Sequence, residues 1–308
     1  MAPSVSAVVV HWRNEEEILA LLAAWPRDGR SEVLVVDNSS TLDEVPAPGR
    51  LISPGRNLGF AGGVNRGTDE AQAPWVLILN PDVVPEPGAV DTLLNSLGDL
   101  GANAAGVVPA LDDEAGQPLT RWQLRPLPNP WVLLAQTFLV PAGQGPAGEP
   151  PRGTAIAQPA GAALALRREV LQEIGGLDEG YHPAWFEDVD LAVRLARAGH
   201  RMLFEPNARF RHAMGASLPA LGYGPFLWIY YRNLTRYLQL HHGTGWARLA
   251  GLTVPCGMLL RLVLLPLRRP RRAISRRSAA EGLLATATGA LSRWRRPASY
   301  VARFGQKT

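Results

Sequence analysis

The sequence predicts an α/β fold with a mostly parallel central sheet, followed by a basic helical region. Short β-branched runs alternate with helical stretches along the first 80 residues, which is typical of a parallel sheet with helices on both faces. Several predicted strands end abruptly in polar residues, and in such sheets the ligand lies beyond the carboxyl ends of the strands. Residues 226–308 carry fifteen basic residues and one acid, a net charge of +14, whereas residues 1–225 sum to −10. We therefore expect an acidic domain over residues 1–225 and a separate basic region over residues 226–308.

The elements of this fold follow from the spacing of apolar residues. Short apolar or β-branched runs indicate buried strands, and apolar residues that recur at helical spacing indicate helices. The predicted strands are 6–11, 32–36, 75–79, 160–165 and 201–204, and the predicted helices are 14–25, 65–73, 168–174 and 187–198. Residues 110–152 are rich in Pro and Gly, and we expect them to form long loops over the domain.

The composition excludes several classes of protein. Of the 308 residues, 46% are apolar and 19% are charged, which is typical of a globular chain and argues against global disorder. A single cysteine, Cys256, excludes an internal disulfide framework and any zinc or iron–sulfur site with several cysteines. The first ten residues lack a basic segment followed by a long apolar core, so no secretory signal is predicted. We expect a reducing, cytoplasmic location.

Two acidic residues stand just beyond the ends of predicted strands. Asp37 stands after the second strand, where its carboxylate can accept a hydrogen bond from a nucleobase or a ribose, or can stabilise the Asp-Asn-Ser-Ser turn. Asp82 ends the motif Asn80-Pro81-Asp82 after the next apolar strand. It is a candidate ligand for Mg²⁺ or Mn²⁺, which need oxygen ligands, or it has a structural role. Because the carboxyl ends of parallel strands meet at one edge, we expect both carboxylates to face one crevice.

The glycine-rich segment 56–63, Arg-Asn-Leu-Gly-Phe-Ala-Gly-Gly, leads into a predicted helix. Glycines let backbone N–H groups approach a phosphate or a sugar, and the start of a helix favours anions. The segment is neither a P-loop nor the dinucleotide fingerprint, because the required lysine and glycine spacing are absent.

Three acids, Glu187, Asp188 and Asp190, fall in the first turn of a predicted helix. Acids there complement the helix dipole, which is a sufficient structural reason for them. Trp185-Phe186, directly before them, would also place a carboxylate beside aromatic walls, as expected for a general base or a sugar-stacking platform. His212 follows later in the chain and is either a metal ligand or a structural histidine.

Taken in order, these segments resemble the inverting, GT-A-type family 2 glycosyltransferases, especially the rhamnosyltransferase-like branch. The resemblance covers residues 5–242 approximately and is specific as a set. The segments that carry it are VVDNSS (35–40), RNLGFAGGVNRG (56–67), LILNPD (77–82), GAALALRREVLQEIGGLDE (161–179), FEDVDLAVRLARAGHR (186–201), FEPNARFRHAMGAS (204–217) and YYRNLTRYLQLHH (230–242). The chain departs from the general motif at Asn80, where a first Asp often stands, although Asn-Pro-Asp is typical of this branch.

The resemblance implies a role for each matched residue. Asp188 matches the catalytic base, and Trp185 and Glu187 would bind the acceptor. Asp82 and His212 would hold a divalent cation, Mg²⁺ or Mn²⁺. The residues implied in binding the donor and its nucleotide are Asp37, Arg56, Asn57, Gly59, Gly62, Asp82 and Gly161.

The implied function is metal-dependent, inverting hexosyl transfer in cell-envelope glycan synthesis. A sugar such as rhamnose would pass from a nucleotide-diphosphate sugar to a lipid-linked or polysaccharide acceptor. Galactosyl or glucosyl transfer by the same fold is an alternative. A sugar-1-phosphate nucleotidyltransferase is less well supported, because no glycine-rich loop follows Val10. A non-catalytic nucleotide-sugar-binding module is disfavoured by the joint presence of Asp82, Asp188 and His212.

The basic region contains a strongly apolar stretch, residues 246–267, followed by arginines within residues 268–277. Arg261 near the centre of this stretch would cost a membrane-spanning helix about 2.5–3.5 kcal/mol. We therefore favour helices that lie on an anionic membrane, with the protein bound peripherally to the inner face of the cell membrane. A true span and a helix that packs against the catalytic domain are the alternatives. No nucleic-acid partner is expected.

Overall fold

A computed structural model describes residues 3–101, 103–141, 143–214, 221–267 and 275–295. The chain divides into two compact units. The first comprises residues 1–127, 144–182 and 187–216, and the second comprises residues 128–143, 183–186 and 217–308. The second unit therefore contains the basic C-terminal region and also takes two short segments from earlier in the chain. Four arginines of the predicted membrane-binding cluster, Arg268, Arg269, Arg271 and Arg272, lie outside the described residues.

The secondary structure alternates between strands and helices along the first unit. The strands are β1 (Val5–His11), β2 (Ser31–Asp37), β3 (Gly49–Ile52), β4 (Trp75–Leu79), β5 (Val83–Pro85), β6 (Ala104–Asp112), β7 (Leu124–Arg125), β8 (Ala155–Ile156), β9 (Gln158–Pro159), β10 (Ala163–Arg167) and β11 (Arg201–His212). The helices are α1 (Glu15–Ala24), α2 (Gly59–Glu70), α3 (Ala89–Gly98), α4 (Thr120–Gln123), α5 (Pro130–Ala135), α6 (Arg168–Glu173), α7 (Glu187–Arg197), α8 (Tyr223–His242), α9 (Thr244–Leu264) and α10 (Arg276–Leu291).

The central sheet confirms the predicted α/β class. Its strand order is β3-β2-β1-β4-β10-β6-β11-β5, with β8 also paired to β11, and β7 and β9 form a separate ribbon. Strands β3, β2, β1 and β4 run parallel to one another, and β6 and β11 run parallel to each other. Strand β10 is antiparallel to both of its neighbours, and β5 is antiparallel to β11. The parallel half matches the prediction, and the antiparallel strands were not predicted.

Apolar layers cover both faces of this sheet. Alternate residues of β1 point to opposite faces, so that Val9 joins one buried cluster with Ile18 of α1, while Val8 joins another with Val64 of α2. Every residue of β1 is buried, because helices cover both faces at this position. Continuous apolar runs such as Val76–Leu79 are the sequence signature of such strands.

Helix α2 begins at Gly59, six residues before the predicted start at Asn65. Its glycines serve the packing of the helix on the sheet. A Cβ atom on Gly63 would lie 2.7 Å from the Val10 side chain, and one on Gly67 would lie 2.3 Å from the Val8 side chain. Only glycine permits this close approach. Residues 59–63 of the glycine-rich segment thus form the first turn of α2.

The region expected to form long loops contains regular structure. Strand β6 extends to Asp112, α4 and β7 occupy residues 120–125, and α5 begins at Pro130. Strand β11 continues to His212 instead of ending at Phe204, because its later residues pair with both β6 and β5. The added strand segments are held by pairing between residues that are far apart in the chain, and the local composition does not indicate such pairing.

The second unit is formed mainly by α8, α9 and α10. Gly282 of α10 lies so close to α8 that a Cβ on it would be 2.5 Å from the Cα of Gly224. Helix α9 is 21 residues long and apolar, and by length and composition it is the one helix among the described residues that could cross a membrane.

Candidate active site

The carboxyl ends of adjacent strands align at one edge of the first unit's sheet. His11 at the end of β1 is in register with Asp37 of β2, and Val9 is in register with Leu79 of β4. Directly after β4, the Asn80 amide donates to the carbonyl of Ala162 at 2.9 Å. The segment before β10 therefore lies beside the Asn80-Pro81-Asp82 motif.

Asp82 and His212 are neighbours in this edge. Antiparallel pairing of β5 with β11 places His212 opposite Val83, the residue that follows Asp82. The His212 Nε2 atom lies 3.3 Å from the Asp82 Oδ1 atom, and both side chains are buried. The Trp122 ring covers the imidazole, with ring centroids 5.1 Å apart. The two side chains are thus close enough to share a cation, and their role as metal ligands stays a prediction.

The chemistry of this pair fits a divalent cation. Two ligands with bonds of about 2.1 Å on neighbouring vertices of an octahedron are about 3 Å apart, close to the observed separation. The His212 Nδ1 atom is buried without a hydrogen-bond partner among the described residues, so no hydrogen bond from that nitrogen orients the ring. The described residues hold no cluster of three or more potential ligands, so water and the substrate's diphosphate would have to complete the coordination.

Asp188 stands in the first turn of α7 and is held by the segment before β10. Its Oδ2 atom accepts a hydrogen bond from the Gly161 amide at 3.1 Å and from Gln158 Nε2 at 3.4 Å. Its Oδ1 atom accepts one from the Val189 amide at 2.8 Å. The side chain remains 16% exposed, which leaves the carboxylate accessible to a substrate hydroxyl. Gly161, predicted at the donor sugar, is thus in direct contact with the predicted base.

Two further residues at Asp188 were not found from the sequence. The Arg125 guanidinium lies 3.6 Å from Asp188 Oδ2, and Gln158 donates to the same oxygen. Arg125 and Gln158 are partners in the β7–β9 ribbon. They lie in or beyond the Pro- and Gly-rich segment that was expected to be loops, and no motif marked them.

Glu187 and Asp190 have surroundings very different from those of Asp188. Burial raises the pKa of Glu187 well above its usual value, and the charges of Asp188 and Asp190 raise it further. One carboxylate oxygen of Glu187 is buried without a hydrogen-bond partner. Asp190 accepts a hydrogen bond from Arg194 Nε at 2.7 Å, and Arg194 in turn donates to two loop carbonyls. Asp190 is therefore a structural residue.

Trp185 belongs to the second unit, where an asparagine holds its backbone. Trp185 and Phe186 both have positive φ angles, of 75° and 77°, a conformation that costs bulky residues energy. The fully buried Asn233 donates to the carbonyls of Ala184 at 2.8 Å and Trp185 at 3.0 Å. The Trp185 ring packs edge-on against Phe226, with centroids 5.0 Å apart. Asn233 thus stabilises a strained turn that lies directly before Glu187 and Asp188 in the chain.

The Asp37 carboxylate binds backbone N–H groups of the loop that follows it. Its two carboxylate oxygens accept hydrogen bonds from the backbone N–H groups of four residues, at 2.8–3.0 Å: Ser39, Ser40, Thr41 and Leu42. The side chain is fully buried. Of the two roles that the sequence leaves open for Asp37, stabilisation of the turn matches this geometry. Direct contact with a nucleobase, implied by the resemblance, would require one of these bonds to be exchanged.

The segment 56–63 is organised by asparagines. Asn57 Oδ1 accepts a hydrogen bond from the Gly59 amide at 2.8 Å, while Asn38 donates to the Gly59 carbonyl and accepts from the Leu58 amide. A Cβ on Gly62 would lie 3.0 Å from that of Leu58. Arg56 is exposed just before α2. The start of α2 thus lies beside the Asp37 loop, as donor binding by this segment requires, and that role stays a prediction.

A family comparison covers most of the chain. The model of the family described as "Glycosyltransferase like family 2" matches residues 3–238. An N-acetylglucosaminyl-diphospho-decaprenol L-rhamnosyltransferase of Mycobacterium tuberculosis is 29% identical over 215 residues. That match covers 58% of this chain and 66% of the relative, so the chain spans slightly less than two thirds of the relative's length.

Two solved structures show the same fold. A mannosyltransferase from Pyrobaculum calidifontis, in complex with GDP-Man and Mn²⁺, has a TM-score of 0.51 at 17% identity, over 94% of this chain and 88% of that one. A structure of GalNAc-T7 with UDP, GalNAc and Mn²⁺ has a TM-score of 0.54 at 15% identity, over 78% of this chain and 48% of that one. Both are GT-A glycosyltransferase folds, which confirms the predicted fold class.

Proposed function

Because this chain belongs to the glycosyltransferase-like family 2, we propose that it transfers a sugar from a nucleotide-diphosphate donor to a lipid-linked acceptor, with inversion at the anomeric carbon. The observation that carries this proposal is the placement of Asp188. Gly161 donates to its carboxylate, and the next residue, Ala162, bonds to Asn80 of the motif that holds Asp82. A carboxylate suited to take a proton therefore lies on the same sheet edge as a pair of residues suited to a cation.

Asp188 acts as the general base. The acceptor hydroxyl gives its proton to the Asp188 carboxylate while its oxygen bonds to the anomeric carbon, and the bond from that carbon to the diphosphate oxygen breaks. The electron pair of the broken bond leaves with the nucleotide diphosphate. The hydrogen bonds from Gly161 and Gln158 fix the position of the Asp188 carboxylate, and the Arg125 guanidinium lies beside it.

Asp82 and His212 would hold a divalent cation, Mg²⁺ or Mn²⁺. When bound, it offsets the negative charge that develops on the departing diphosphate. The segment 56–63 at the start of α2 supplies backbone N–H groups and the positive end of a helix dipole for the donor. These assignments are supported by the 3.3 Å approach of Asp82 and His212 and by the ordered turn at Gly59.

Rhamnose as the sugar and a polyprenyl-linked acceptor are supported by the mycobacterial relative, whose name specifies both. The +14 charge of residues 226–308 supports an acceptor at a membrane, because a cationic surface is attracted to anionic lipid. We therefore place the protein peripherally at the inner face of the cell membrane, with cell-envelope glycan as the product class.

Purified full-length protein, tested against a panel of nucleotide-diphosphate sugars, checks the proposal. The panel includes rhamnose, galactose, glucose and mannose donors, with an N-acetylglucosaminyl diphospho-polyprenol as acceptor. We expect metal-dependent transfer from the rhamnose donor and an inverted anomeric configuration in the product. A matched Asp188→Asn variant controls for contaminating activity. Absence of transfer and hydrolysis with every donor would contradict the proposed activity, whereas transfer from another donor would contradict only the sugar.

A further inference from the structure

Exposed apolar side chains are concentrated in the second unit. Of fourteen large apolar side chains that are exposed among the described residues, twelve belong to this unit, and Leu19 and Met214 are the two in the first unit. The second unit also holds fifteen basic residues and a single acid, Glu281. Contiguous exposed apolar surface marks contact sites in proteins, and the charge indicates an anionic partner.

Helix α9 presents an apolar face to the outside. Its exposed positions from Leu252 onward are all apolar or Cys and recur at helical spacing: Leu252, Cys256, Leu259, Leu260 and Val263. The exposed face of an ordinary surface helix carries charged and polar residues. Helix α10 differs, because it exposes the charged residues Arg276, Arg277 and Glu281 beside Leu284 and Leu291, and Arg277 forms an ion pair with Glu281.

The one charged residue in this part of α9 points inward. Arg261 donates to the backbone carbonyls of Thr137 and, at 2.9 Å, Gln136, and to the Tyr231 hydroxyl at 3.2 Å. The guanidinium therefore joins α9 to the segment at residue 137 and is not directed toward solvent. From the sequence, Arg261 counted as an interruption of the apolar stretch. In the folded unit, its inward position leaves the exposed positions of α9 from Leu252 onward without a charged residue.

The segment attached in this way extends the apolar surface. Gly257 lies so close to it that a Cβ would be 2.0 Å from the Thr137 carbonyl oxygen. The next three residues, Phe138, Leu139 and Val140, are all exposed. We call these three residues, together with Leu252, Leu259, Leu260 and Val263 of α9, the apolar face.

We propose that the apolar face is inserted into the interfacial layer of an anionic bilayer, with α9 lying on the membrane. This inference rests on the proposed membrane association and names the surface that produces it. Exposed arginines of the same unit, Arg248, Arg276 and Arg277, supply the attraction to lipid phosphates. Because α9 is packed on its other face against residues 136–137 and other helices of its unit, it does not cross the bilayer alone.

Sedimentation of the full-length protein with vesicles tests the proposal. Vesicles contain phosphatidylglycerol and phosphatidylcholine, or phosphatidylcholine alone. Leu259→Gln removes one side chain of the apolar face, and Leu19→Gln is the matched control, because each leucine is 52% exposed on a helix. We expect Leu259→Gln to weaken binding about fivefold and Leu259→Gln/Val263→Gln by about twentyfold or more, while Leu19→Gln leaves binding unchanged.

Other outcomes separate the competing occupants of this surface. If both Leu259 variants bind anionic vesicles as tightly as the wild-type protein, the assignment of the apolar face is overturned, while membrane association stands. Wild-type protein that binds no vesicles would overturn both. A dimer that Leu259→Gln dissociates, seen by light scattering without lipid, would assign the face to a second copy of the chain. Resistance of membrane-bound protein to extraction by alkaline carbonate would indicate a spanning helix instead.

Two controls show that the variants are folded. Their rate of donor hydrolysis and their thermal midpoint should equal those of the wild type, and transfer activity is measured separately.

Discussion

Replacement of Asp188 by Asn tests the proposed base most directly. The carboxylate accepts from the Val189 amide through Oδ1 and from the Gly161 amide through Oδ2. An Asn side chain has a single oxygen, so whichever way it turns, its NH₂ group faces one of these N–H donors. Loss of one partly buried hydrogen bond costs about 1–3 kcal/mol of folding stability, which lowers the thermal midpoint by several degrees without unfolding the protein.

The expected effect on catalysis is larger than the effect on stability. Removal of a general base lowers the rate by about 10²–10⁴-fold, which corresponds to about 2.7–5.4 kcal/mol in the barrier. We expect Asp188→Asn to bind the donor normally and to transfer sugar at least a hundredfold more slowly, as measured by product formation at saturating donor and by donor titration.

Asp190→Asn is the matched control, because Asp190 lies in the same helical turn. It is paired with Arg194 at 2.7 Å and is buried, so that loss of its charge lowers stability by about 1–3 kcal/mol. Its transfer rate should stay within about threefold of wild type. Near-normal turnover by Asp188→Asn would refute the assignment, and so would an equal loss of activity in the two variants, since that would indicate damage to α7 and not loss of a base.

Three further outcomes are expected. Asp82→Asn and His212→Ala should each raise the Mn²⁺ concentration needed for half-maximal transfer by at least about tenfold, and excess chelator should abolish transfer, whereas an unchanged metal titration would remove both residues from the site. Glu187→Gln should become increasingly stabilising as pH rises above about 4.5. Burial raises the folded-state pKa of Glu187, so the stabilising contribution of this group is complete at pH values below its usual pKa and is lost as pH rises through the folded-state pKa. Urea unfolding of the wild type and the variant at pH 4.5 and pH 7.5 measures this loss, and an equal stability difference at the two pH values would contradict the raised pKa. Asn233→Ala should raise the acceptor KM about tenfold, because the Trp185 turn loses its support, and donor hydrolysis should not change; a parallel loss of both activities would indicate general unfolding.

The parallel part of the sheet could be predicted closely because its signals are local. Strand β4 was predicted at its observed bounds, 75–79, since a continuous apolar run ends at Asn80-Pro81. The start of α2 was placed too late because glycine has a low helix propensity. The reason for the glycines, the contact of Gly63 with Val10 and of Gly67 with Val8, exists only in the folded sheet and is not visible in the local sequence.

The difference between local signals and contacts made only in the folded sheet also applies to Asp82 and His212, the candidate metal ligands. Asp82 and His212 were brought together by resemblance, whereas the physical cause is the antiparallel pairing of β5 with β11. That pairing requires β11 to continue through residues 205–212, a stretch with charged and polar residues that gives no clear strand pattern. Residues that act together but come from distant strands are therefore found by motif order, and their geometry becomes known only from the sheet.

Glu187 and Asp188 show most clearly what the fold adds to a motif. The two acids are adjacent and share the same helix dipole, so the sequence alone gives no reason to separate their roles. In the structure, one oxygen of Glu187 is buried without a hydrogen-bond partner and burial raises its pKa, whereas Asp188 receives three N–H donors and remains partly exposed. Adjacent carboxyl groups with such different surroundings are suited to different tasks. Proton transfer from an acceptor hydroxyl requires a carboxylate that the substrate can reach, so the partial exposure of Asp188 agrees with its proposed role as the base, whereas the buried Glu187 is suited to hold the start of α7 or to donate a hydrogen bond.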